Sequence, residues 1–152
     1  MKKVMVLTNV EKQDVLNSIV NQPKEEMMMV KMHDLTISQP YGCLMRNVLL
    51  AVYEEGIQEI YVIGEQTQTS ERQKAQLEEK IKAAEISEEV IQTINYTNSA
   101  KPDFISWLVG QTNMKQTVKQ NVKLIQSHPV MPKSVRVQGV WIDSETGEHQ
   151  SV

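Results

Sequence analysis

The sequence predicts a single α/β domain spanning residues 1–152, with a mainly parallel β-sheet flanked by helices and a C-terminal antiparallel hairpin. Three observations predict it. Short strand-like runs alternate with longer stretches whose apolar residues recur at helical spacing, the pattern of crossover units. The early strand-like runs are apolar at nearly every position, as parallel strands buried on both faces require. The C-terminal run instead alternates and leads into turn residues, which marks a hairpin.

Lys3 to Thr8 is the first strand, followed by a helix carrying Val15, Leu16, Ile19 and Val20 on one face. Met27 to Met32 is the second strand, and the run Met27, Met28, Met29 is expected to fill an irregular buried position. Leu44 to Tyr53 has apolar residues at 44, 45, 48, 49 and 52 and ends at Gly56, a helix stop. Glu59 to Gly64 is the third strand.

The second half opens with a charged helix that Ser70 and Gln73 start as a capping box, with Leu77, Ile81 and Ala84 as its inward stripe. Shorter helices follow at Glu88 to Ile94 and around Phe104, Trp107 and Leu108. Met114, Val118, Val122 and Ile125 mark a longer amphipathic helix ended by His128-Pro129. Ser134 to Ile142 is a strand with Val135, Val137 and Val140, and Asp143 to Gly147 is turn chemistry leading into a short last strand. No internal repeat or linker interrupts the chain.

Composition narrows the function classes. With a net charge of −3 and 16 basic residues spread along the chain, no basic stripe attracts nucleic acid or an anionic membrane. The N-terminal apolar stretch is broken by Thr8 and Asn9, and no segment approaches membrane-spanning length, so the expected location is cytoplasmic, without membrane insertion. Cys43 is the only cysteine, which excludes an internal disulfide and every two-cysteine metal site. Gly42, Gly56, Gly64 and Gly110 stand singly, matching no phosphate-binding loop, and no Gly-x-Ser-x-Gly elbow marks a serine hydrolase. No cofactor is expected.

The closing stretch IQSHPVMPKSVRVQGVWIDSETGEHQSV carries a helix ending in His-Pro, then Pro, a valine strand, Gly, and Trp-Ile-Asp with Thr-Gly three residues after the Asp. It resembles the end of β-class carbonic anhydrases. EGIQEIYVIGEQTQT is similar to that family's strand ending His-Thr-Asp-Cys-Gly, and VMVLTNVEKQ to its first strand, ending Cys-Met-Asp-x-Arg. The resemblance implies that family's fold, and a homodimer. It departs between Asp34 and Gln39, where the family's Arg-Asn-Ala-Gly-Gly-Arg stretch becomes Asp-Leu-Thr-Ile-Ser-Gln.

The departures fall on the chemistry. The resemblance puts Asn9 where the family has its first zinc cysteine, Glu65 at the zinc histidine and Gln68 at the second cysteine. Glu11 and Gln13 stand at the Asp-Arg pair that orients the zinc-bound water. Zinc must lower the pKa of bound water by many units to give hydroxide at neutral pH, and amide side chains do not replace thiolates in that task.

These five residues form the expected remnant pocket, at the carboxyl ends of the first and third strands, where open parallel sheets bind ligands. Either Glu65 and Glu11 bind a small polar ligand or cation there, or the polar residues of a decayed site pair with one another. His33, His128 and His149 share no ligand spacing; His128 is read as structural, satisfying carbonyls and the dipole at a helix end. Cys43, near a helix start, is given no role and is expected to act as a small buried hydrophobe. The implied function is a family homologue that is not a carbon dioxide hydratase and acts as a binding or regulatory subunit, with a protein partner. The alternatives are altered chemistry at the remnant pocket, with Glu65 or Glu11 as general base or cation ligand, and residual carbonic anhydrase activity with non-standard metal ligands.

Overall fold

The structure, a computed structural model, describes residues 2–66, 70–98, 103–110 and 113–152. The chain divides into two compact units, Met1–Gln66 with Asn113–Val152, and Thr67–Thr112.

The first unit is built on a five-stranded sheet in the order β2-β1-β3-β4-β5. β1 (Val4–Thr8), β2 (Met27–Lys31), β3 (Glu59–Gln66) and β4 (Arg136–Asp143) pair in parallel, and β5 (His149–Ser151) closes antiparallel on β4. All five β1 residues are buried, so the unbroken apolar run marks a strand covered on both faces.

Side-chain alternation sorts the core into two layers. Val4, Val6, Ile63, Val140 and Ile142 meet Leu16 and Val20 of α1 (Gln13–Val20). Met5, Leu7, Ile60 and Val62 meet Met45, Val48 and Val52 of α2 (Cys43–Glu55), together with Val118 and Ile125 of α6 (Met114–Gln126). Helices therefore cover both faces.

Local chemistry sets the ends of these elements. α1 stops at Asn21 and α2 at Gly56, both left-handed, at φ 58° and 73°, each returning its N–H to a carbonyl of the preceding turn. After β4, Gly147 adopts φ 74° and donates its N–H to the Asp143 carbonyl, while the Asp143 carboxylate accepts the N–H of Glu145. Two other glycines serve close approach. A Cβ on Gly64 would lie 2.7 Å from both Met114 Cγ and Val118 Cγ2, and one on Gly139 would lie 2.8 Å from Val122 Cγ2. α6 thus rests on the bare backbone of β3 and β4.

The methionine run departs from expectation. Met27 is buried, but Met28 is exposed and Met29 half-buried, because β2 is an edge strand and presents alternate residues to solvent.

The second unit holds α3 (Ser70–Ala83), α4 (Glu88–Thr97) and α5 (Phe104–Val109). Asp103 caps α5, accepting bonds from the Ser106 backbone and hydroxyl, and the Asn95 side chain accepts the Phe104 N–H at 2.7 Å. The expected capping box at Ser70 rests on a side chain outside the described residues. The expected inward stripe is shallow: Leu77 and Ile81 are only half-buried, and Ala84 is exposed just beyond the helix. Among the described residues of this unit only Ile105 and Val109, both on α5, are buried.

Candidate functional site at the carboxyl ends of β1 and β3

From β1 the chain runs through α1 on one face to β2 on one side, and later returns through α2 on the other face to β3 on the opposite side. β1 and β3 are therefore the neighbouring strands at which the connections diverge. In open parallel sheets such a switch point leaves a crevice outside the strand ends, the usual ligand position.

Asn9 and Glu65 meet at these strand ends, in a particular way. The Asn9 side chain donates from Nδ2 to the Glu65 carbonyl at 2.9 Å and accepts the Glu65 N–H on Oδ1 at 2.8 Å. The primary amide imitates one more backbone pair beyond Thr8 and Ile63, the last paired residues of β1 and β3. Below it the buried Thr8 hydroxyl donates to the Ile63 carbonyl at 2.7 Å and accepts the Val10 N–H at 3.0 Å. Two polar side chains thus bridge the two strand ends in succession.

The other residues named from the sequence are placed differently. Gln13 donates to the side chain of Asn17 at 2.8 Å within α1, and Glu11 is exposed, its backbone carbonyl accepting a bond from Lys31 Nζ at 3.2 Å. Glu65 is half-buried and, two residues after Ile63, lies on the α1 face of β3. Gln68 lies outside the described residues. Gln66 Oε1 accepts the backbone N–H of Met114 at 2.8 Å, tying the end of β3 to the first turn of α6.

Sequence reasoning missed a second amide of the same kind. The Asn121 side chain, on α6, donates to the Leu35 carbonyl and accepts the Ile37 N–H at 3.1 Å. Leu35 and Ile37 are buried in the core, and Asp34 accepts the N–H and hydroxyl of Thr36, folding the segment between them. The signal was Asn121 itself, a polar residue within the apolar face of a helix.

His128 is buried and structural, but not as expected. Its Nδ1 accepts the Val130 N–H at 3.2 Å, which assigns the proton to Nε2, and Nε2 donates to the Pro40 carbonyl at 2.8 Å. The ring thus ties the loop before α2 to the turn after α6, instead of serving carbonyls of its own helix. Cys43 is exposed at the first position of α2, against the expectation of a buried thiol. Among the described residues, no group of three or more His, Cys, Asp or Glu is placed to hold a metal ion.

Among the described residues two groups are electrostatically displaced. Burial, with the nearby Glu59 carboxylate, raises the Tyr61 phenol above its ordinary value of 10.0. The hydrogen bonds from Ser106 lower the Asp103 carboxyl.

No family model matches the sequence. YbcF of Bacillus subtilis, named provisionally as a carbonic anhydrase-like protein, is 30% identical over 153 residues, covering 97% of this chain and 85% of its own. YtiB of the same organism, named provisionally as a carbonic anhydrase, is 33% identical over 150 residues, covering 97% of this chain and 79% of its own. Among solved structures, β-carbonic anhydrase isoform I of Trichomonas vaginalis superposes with a TM-score of 0.68 at 18% identity, covering 99% of this chain and 81% of that one. The mainly parallel sheet with its antiparallel last strand, and a relative 30% identical along nearly the whole chain, place this protein in the β-carbonic anhydrase family.

Proposed function

We propose that this chain is a β-carbonic anhydrase homologue that does not hydrate carbon dioxide, and that it serves as a binding or regulatory subunit. In this reading residues 1–152 act as one β-carbonic-anhydrase-like domain, cytoplasmic and homodimeric, with a protein partner. The observation that carries it is the Asn9 amide. At the position that the resemblance gives to the first zinc cysteine, both polar atoms of the side chain are engaged by the Glu65 backbone.

The donor chemistry does not fit zinc. The only cysteine is Cys43, at the start of α2, and the resemblance leaves two amides and a carboxylate where thiolates and imidazole are needed. Using Asn9 Oδ1 as a ligand would strip the Glu65 N–H of its acceptor, leaving a half-buried donor unpaired. The segment from Asp34 to Gln39, where the chain departs from a charged family stretch, places Leu35 and Ile37 in the core. Asn9, Glu11, Gln13, Glu65 and Gln68 are therefore read as a decayed site.

A stopped-flow hydration assay on protein supplied with zinc tests the reading. The expected rate equals the buffer rate. Catalysis above buffer that a zinc chelator abolishes would reject it in favour of residual activity with non-standard ligands. The homodimer is tested by light scattering, which should give twice the chain mass at micromolar concentration.

A further inference from the structure

We infer that the helical unit carries a docking groove for a basic helix with an apolar face, supplied by a partner protein. This rests on the reading of the chain as a binding subunit, and it names where and what that subunit binds. A groove of about 590 Å³ lies between α3, α4 and α5. Its apolar lining includes Ile81, Ile86, Ile91 and Ile105, and of these only Ile105 is buried. Its charged lining is Glu78, Glu79 and Glu88 against a single Lys82, so three carboxylates face one ammonium.

Two features choose the occupant. The groove draws its isoleucines from α3, α4, α5 and the turn before α4, and the Ile86 of that turn is 46% exposed. A helix laid along the groove reaches the isoleucines of all these elements at once. Apolar contact supplies the attraction, and the carboxylates select a partner whose flanks carry Lys or Arg. The same carboxylates repel an anionic membrane. A second copy of this chain, itself at net charge −3, is not steered to the groove at long range as a basic partner is.

The full chain, with isotopically labelled isoleucine methyls, is titrated with three synthetic helical peptides: a leucine stripe flanked by lysines, the same stripe flanked by glutamates, and the lysine peptide with serine replacing leucine. The leucine–lysine peptide is expected to bind and to shift the methyls of Ile81, Ile91 and Ile105. Its affinity should fall about tenfold or more in Glu78→Lys/Glu79→Lys, where the glutamate peptide should gain. Both positions are exposed near the end of α3, where lysine suits the helix dipole, so the fold is preserved. Equal binding of the two leucine peptides, binding of the serine peptide, or shifts confined to other methyls would each overturn the groove. So would self-association of the chain through the same methyls. Absence of peptide binding in a protein without zinc or hydratase activity rejects the groove alone. Zinc-dependent hydration rejects the subunit reading, whatever the peptides do.

Discussion

At the residue scale, two asparagines play the same part. Asn9 and Asn121 each give one donor and one acceptor, from two separate atoms of a primary amide, to the backbone of one distant segment. Removing the Asn9 amide leaves both Glu65 groups without a partner, so Asn9→Ala should cost about 1–3 kcal/mol in urea unfolding. Asn9→Asp keeps the acceptor for the Glu65 N–H but sets a carboxylate against the Glu65 carbonyl, and at neutral pH it should be at least as destabilising. If both variants unfold with the wild-type midpoint, the clamp is not part of the fold's stability. Neither amide was legible in the sequence as a clamp, since the partners are backbone groups 56 residues away for Asn9 and 84 or more for Asn121. Position 9 drew notice only through the family resemblance.

Tyr61 gives a residue-scale test of electrostatics. Its raised phenol keeps a proton that the unfolded chain loses near pH 10, so its contribution to stability is present below that pH and is lost as pH rises through the folded value. The phenolate absorbance of wild type minus Tyr61→Phe should titrate with a midpoint above 10.0. A midpoint at or below 10.0 would contradict the burial and Glu59 argument.

At the element scale, the strands were legible because their burial is continuous. The expected strands Lys3 to Thr8 and Glu59 to Gly64 match β1 and β3, the latter running two polar residues further to Gln66, and Gly56 ends α2 as its αL conformation requires. The edge character of β2 was not legible, because a strand's place in the sheet depends on its neighbours. Nor was the tight seat of α6, since a glycine in a strand reads the same whether it makes a bulge or admits a helix. Gly64→Ala and Gly139→Ala should each force α6 away from the sheet and cost about 1–3 kcal/mol, with Met114, Val118 and Val122 as the displaced side chains. A thermal melt unchanged by both would show that the helix yields without strain. Gly56→Ala separates the two roles of glycine, because its Cβ meets no atom within 4 Å and any loss there is backbone strain at φ 73°.

At the scale of the whole molecule, an α/β plan with helices on both faces of a mainly parallel sheet could be read from periodicity alone. Its family came from motifs in the closing stretch, around the third strand and at the end of the first. The helical segment from 70 to 110 was legible as helices but not as a surface: spacing predicted a buried stripe, and the structure leaves Leu77 and Ile81 half-buried and Ile86, Val90 and Ile94 exposed. The architecture keeps the switch point between β1 and β3, and there Asn9 joins the two strand ends through hydrogen bonds to the Glu65 backbone. Elemental analysis of purified protein, after exposure to zinc and dialysis, tests that account most directly. The account requires far less than one zinc per chain, whereas one tightly held zinc per chain would contradict it.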